Sequence, residues 1–189
     1  MFSTYQKPYF SLSAKLDLTA FLQWSKREKQ PFFPWMIYLV SHAANEQESF
    51  RLRIRGAKVI EHDIVHPSFT IMKESGAFGI CRAIYQKDAA AFVKDAVKVI
   101  DVAKTDDKVP SVKEDDDLLF MTSIPWFSFN DISHAMKGDD SDCVPRIAWG
   151  KYEEHSARWE MTIAVQMHHA LADGVHIAAF LRRIQELLD

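Results

Sequence analysis

The chain has 189 residues, of which 48% are apolar, 26% charged and 12% aromatic, enough to bury one sizeable core and too aromatic for a disordered chain. A formal net charge of −3 leaves no basic footprint for nucleic acid. Cys81 and Cys143 are the only cysteines and make no disulfide framework, no apolar run approaches the roughly 20 residues of a spanning helix, and Met1 to Lys7 lacks the pattern of a secretory leader. The expectation is one domain over residues 1–189, cytoplasmic, with neither nucleic acid nor membrane as partner.

In chain order, Phe10 to Leu16 reads as a strand, and Asp17 stands where it can cap a helix from Leu18 to Arg27. Pro34 suits the first turn of a helix ending near Asn45. Ser68 to Met72 and Phe78 to Ile84 read as strands. Ala89 to Lys104 places Phe92, Val93, Ala96, Val99, Ile100 and Ala103 at helical spacing. Thr105 to Asp117 and Lys137 to Asp142 are loops, the acidic run Glu114 to Asp117 lacking the spaced oxygens and glycine of a calcium loop and reading as solvated. Strands return at Leu118 to Ser123 and Ile147 to Tyr152. From Trp159 to His168 the alternation is strict: Trp159, Met161, Ile163, Val165 and Met167 share one face. The last helix, from Val175, aligns Ile177, Leu181, Ile184 and Leu188. Helices and strands mixed in this irregular order predict an α+β fold, a large mixed sheet with helices packed on it.

The final strand runs into His168-His169-Ala-Leu-Ala-Asp173-Gly174. Tandem histidines at a strand-to-helix junction, with Asp173 placed to cap the helix and Gly174 permitting a tight turn, mark the candidate centre. The structural alternative is a buried histidine with satisfied nitrogens and an aspartate that only caps. Zinc is a rival because His168, His169, Asp173 and His176 cluster. Adjacent strand residues point to opposite faces, however, and neither a helical HExxH nor paired CxxC motifs occur, so no metal is expected.

The segment Gln166-Met-His-His-Ala-Leu-Ala-Asp-Gly-Val-His176 resembles the Q-x-H-H-A-x-x-D-G-x-H signature of the chloramphenicol acetyltransferase family. Phe32 to Leu39, Phe50 to Arg53, Asp63 to Pro67, Ser123 to Phe129 and Gly150 to Tyr152 resemble further family blocks, in the family's order. The resemblance implies a two-layer sheet-and-helix sandwich and direct O-acetyl transfer from acetyl-CoA to a hydroxyl of a small acceptor such as chloramphenicol, an antibiotic-resistance activity. It also implies a homotrimer with active sites between subunits. His169 takes the role of general base, since a near-neutral imidazole can accept the proton of a hydroxyl as its oxygen attacks the thioester. Asp173 fixes the turn beneath it. The oxyanion donor is a hydroxyl four residues before Trp126, which is Thr122, with Ser123 as fallback. Tyr152 lies against the adenine of coenzyme A, and Lys151 is placed to meet its phosphates.

Three departures from the family stand out. The family aspartate pairs with an arginine of an N-terminal segment, and no residue here aligns with it, so either the natural protein is longer or Asp173 has another partner. Positions of the acceptor pocket that are mostly apolar or hydroxylated become His134, Arg146 and Ala148, while Phe78 stays aromatic, which favours a polar or anionic acceptor. Ala91 to Leu118 shows little similarity. A different hydroxyl acceptor and a non-catalytic trimeric shell therefore remain as alternatives.

Overall fold

A computed structural model describes residues 5, 7–105, 115–136 and 142–189. Most of the first seven residues, and parts of the two loops at Thr105 to Asp117 and Lys137 to Asp142, lie outside the described residues. Strands β1 (Tyr9–Asp17), β4 (His66–Met72), β5 (Phe78–Arg82), β6 (Leu118–Ser123), β7 (Arg146–Trp149), β8 (Glu153–His155) and β9 (Arg158–His168) form one sheet. Its order is β1-β9-β7-β6-β4-β5, with β8 folded back on β9. The β7–β6 and β6–β4 pairs are parallel and the other pairs antiparallel, so the sheet is mixed as the irregular element order predicts.

Helices α1 (Thr19–Arg27), α2 (Phe32–Asn45), the short α3 (Glu48–Arg51), α4 (Ala89–Thr105) and α5 (Gly174–Leu188) complete the second layer. Met161, Ile163, Val165 and Met167 of β9 join Phe69, Met121 and Ile147 of neighbouring strands in one core with Met36, Val40, Phe92, Ile177 and Phe180 of the helices. Phe50 stacks on Phe180 with ring centroids 4.3 Å apart. No helix among the described residues is long and apolar enough to cross a membrane.

The alternation along β9 is real, but its second face is covered as well: Thr162, Ala164, Gln166 and His168 are all buried. An irregular segment after β6 crosses that face, anchored where the Asp131 carboxylate accepts from the Ser13 hydroxyl and the His134 N–H donates to Gln166 Oε1. Gly150 permits the crossing. A Cβ there would stand 3.1 Å from the Phe129 ring and 3.3 Å from the Phe127 carbonyl.

Two starts differ from expectation. Asp17 accepts from the Thr19 N–H, yet Leu18 occupies the cap position; α2 begins at Phe32, two residues before Pro34, because Pro31 already supplies the extended entry. The hairpin β2 (Leu52–Arg55) and β3 (Lys58–Glu61) is an addition, closed by a two-residue turn in which Gly56 takes φ +58°. Arg53 of β2 is fully buried, donating to the carbonyls of Phe50, Leu52, Asp116 and Leu118, and burial lowers its pKa to about 10. The acidic run is also not simply solvated: Asp115 and Asp117 accept from Arg82, and Asp116 from Arg55 and His62.

Candidate active site

His169 leaves β9 as the sheet ends, its N–H donating to the Pro8 carbonyl 2.6 Å away. The His168 carbonyl then accepts from both Leu171 and Ala172, folding the chain into a tight turn. Asp173 follows in extended conformation and caps α5, its Oδ1 accepting from the Val175 N–H at 3.0 Å. The half-buried His169 ring lies against Phe10, with centroids 4.4 Å apart. Its Nδ1 stands 3.0 Å from the Ala172 carbonyl. A carbonyl can only accept, so the proton sits on Nδ1 and Nε2 of the neutral ring carries the lone pair. This is the tautomer a base needs.

His168 is 2% exposed, accepts the Ala170 N–H at Nδ1, and meets Tyr9 edge-on. Asp173 is exposed rather than buried, and His176 Nδ1 lies 2.8 Å from its Oδ1. Desolvation pushes the Asp173 pKa up, but hydrogen bonds, the Val175 N–H first among them, outweigh it and hold the carboxyl below its ordinary range.

Thr122 occupies a different region. A cleft of about 880 Å³ is walled by Phe32, Phe33, Trp126, Trp149 and Trp159, and it takes in Thr122, Ser123, Phe78, Lys151 and Tyr152. Tyr152 rests on Phe32 and Trp159 at 5.3 and 5.6 Å, and Phe78 is 69% exposed at the rim. Lys104, whose Nζ is 3.2 Å from Asp101, also lines the cleft.

Sheet register places the remaining candidates. Thr122 pairs with Ala148, and Ala148 with Ala164; one step along the same face, Phe120 pairs with Arg146 and Arg146 with Gln166. Gln166 Oε1 in turn accepts from the His134 N–H. Thr122, Ala148, Arg146 and His134 thus share one face of the sheet. Arg146 is buried and its charge is answered locally: NH2 lies 2.8 Å from both Asp142 oxygens, NH1 reaches the Val144 carbonyl, and the guanidinium sits 5.4 Å from the Phe120 ring centre. Burial, then the Arg146 charge, lower the His134 pKa.

The same register separates His169 from Thr122. Ala164 marks the level of Thr122 on β9, five residues before His169, or about 16 Å along the strand at ~3.3 Å per residue. β6 also lies two strands from β9, about a further 10 Å sideways. Within one chain the two residues do not meet.

Asp142 and Phe10 escaped the sequence reading. Asp142 stands four residues before Arg146 in a polar stretch with loop composition, and Phe10 is one apolar residue of a strand, so neither carries a signal of its own.

The chloramphenicol acetyltransferase family model matches residues 1–185. Chloramphenicol acetyltransferase 3 of Escherichia coli is 31% identical over 180 residues, covering 94% of this chain and 84% of that protein. A solved chloramphenicol acetyltransferase superposes with TM-score 0.91 at 28% identity, covering all of this chain and 92% of the other. A probable dihydrolipoamide acetyltransferase of Listeria monocytogenes shares the fold, with TM-score 0.71 at 15% identity over 98% of this chain and 86% of the other. A match over nearly the whole length, in sequence and in backbone, leaves one conclusion: the chain belongs to the chloramphenicol acetyltransferase family and is an acyltransferase.

Proposed function

We propose that the protein transfers an acetyl group directly from acetyl-CoA to a hydroxyl of a small acceptor, chloramphenicol or a similar molecule, with His169 as general base. The observation that carries this reading is the His169 Nδ1 contact to the Ala172 carbonyl, which leaves Nε2 to take the acceptor's proton. The hydroxyl oxygen attacks the thioester carbonyl, the resulting oxyanion is held by the Thr122 hydroxyl, and collapse expels the coenzyme A thiolate, which recovers the proton from His169. The aromatic cleft takes the pantetheine arm and adenine, with Tyr152 as a stacking surface and Lys151 near the phosphates. Asp173 shapes the turn that carries the base.

Because one chain holds His169 and Thr122 apart, the reaction calls for a second copy, His169 of one subunit facing the Thr122 cleft of its neighbour in a homotrimer. Phe78 and His134 are placed on the acceptor side, with Arg146 and Ala148 buried on the sheet face that carries Thr122. One observation favours a neutral polar acceptor over an anion: Asp142 already neutralises Arg146.

The test is thiol release from acetyl-CoA across chloramphenicol and a panel of neutral, polar and anionic alcohols. Turnover with at least one hydroxyl acceptor is expected, and His169→Ala should lower it by on the order of 10²–10⁴-fold with folding intact. Full activity in that variant rejects the assignment. Binding of acetyl-CoA without turnover of any acceptor marks a non-catalytic shell.

A further inference from the structure

The Ala172 carbonyl that orients His169 belongs to the same peptide unit as the Asp173 N–H. A peptide unit is planar, with its C=O and N–H pointing in opposite directions, so fixing one fixes the other. The Asp173 N–H lies 3.1 Å from Nδ1 of the His176 ring. Asp173 has φ −138° and ψ −173°, outside the helix, so this N–H falls beyond the helical ladder, and the His176 ring returns to it from the third position of α5.

We infer that His176 is a positioning residue for His169: its Nδ1 clamps the Ala172–Asp173 peptide and so holds the Ala172 carbonyl on His169 Nδ1, selecting the tautomer with a basic Nε2. This rests on the reading of His169 as the base. An N–H donor requires a lone pair at His176 Nδ1, so His176 is neutral with its proton on Nε2. Asp173 Oδ1, 2.8 Å from the same nitrogen, favours the opposite form with a proton on Nδ1, so the ring ¹⁵N shifts of the wild type decide between the two contacts. The usual residue at this position of a capping box is Glu or Gln, whose side-chain oxygen reaches back to the same N–H. Gln can therefore take over the clamp, and Leu cannot.

The experiment compares wild type, His176→Leu and His176→Gln, labelled with ¹⁵N-histidine, by ring ¹⁵N shifts, steady-state kinetics and thermal midpoint. Wild type should show His169 as the Nδ1–H tautomer and His176 as Nε2–H. In His176→Leu the His169 ring should move toward the Nε2–H form, and kcat should fall roughly tenfold, less than loss of the whole base, with KM for both substrates unchanged. His176→Gln should restore both the tautomer and most of kcat. Unchanged His169 shifts in a folded His176→Leu protein overturn the inference. So does a His176→Gln protein that recovers stability without recovering the tautomer. Should the Leu variant fail to fold, wild type alone decides, because His176 protonated at Nδ1 at the assay pH contradicts the clamp. Full turnover by His169→Ala would defeat the base reading itself, whereas an inactive His169→Ala beside an unresponsive tautomer defeats only the role of His176.

Discussion

A threonine in place of serine at position 122 keeps the hydroxyl donor but adds a methyl group and stiffens χ1. If its hydroxyl holds the oxyanion, Thr122→Val removes the donor at nearly constant volume, and kcat should drop on the order of 10²–10³-fold, with substrate affinity little changed because the charge exists only in the transition state. Thr122→Ser should be close to neutral. A silent Thr122→Val beside a crippled Ser123→Ala would move the donor by one residue. At Arg146 the expectation concerns stability. Both partners of the Arg146–Asp142 pair are almost wholly buried, so Arg146→Met alone strands a buried carboxylate and should cost about 3–5 kcal/mol in denaturant unfolding at fixed protein concentration. Adding Asp142→Leu should recover much of that loss, and a double variant as unstable as the single one contradicts the pairing. The junction of β9 and α5, with Asp173 as its cap, was legible because residue type and spacing alone select it. The neutralisation of Arg146 was not, since it depends on where an irregular segment crosses the sheet.

Long elements announced themselves through period. β9 repeats its apolar alternation from Trp159 to Met167 and α4 its helical spacing from Phe92 to Ala103, and both appear where that spacing puts them. The β2–β3 hairpin went unread because four-residue strands such as Leu52-Arg-Ile-Arg and Lys-Val-Ile-Glu carry too few periods to stand out from a charged loop. Its hold on the sheet is electrostatic as well as apolar: Asp116, just before β6, accepts from Arg55 in β2 and from His62 just after β3. The hydrogen bond from Arg55, against opposing burial and with help from His62, keeps the Asp116 pKa below its ordinary 3.8. A carboxyl with a lower pKa folded than unfolded stabilises above its unfolded value and loses that contribution as pH falls through the folded one. The thermal midpoint should therefore fall as pH drops below about 4. Asp116→Asn should lower the midpoint at pH 7 and flatten this acid limb. An unaltered acid limb in the variant would assign it to other carboxylates.

Across the protein, the sheet places His169 at one end of β9 and Thr122 two strands away, so no repacking of a single chain unites them without breaking the register of β6, β7 and β9. Sequence patterning cannot display this separation, because both residues sit in family blocks that read equally well as one site. Mixed oligomers test directly the pairing of His169 from one copy with Thr122 from another. His169→Ala and Thr122→Val chains, each nearly inactive alone, are co-expressed in equal amounts and their assembled oligomers assayed for thiol release from acetyl-CoA. With random assembly of a cyclic trimer, about a quarter of the shared sites should combine an intact His169 with an intact Thr122, so activity should return to roughly a quarter of wild type. Mixed oligomers no more active than the two parents would contradict that pairing.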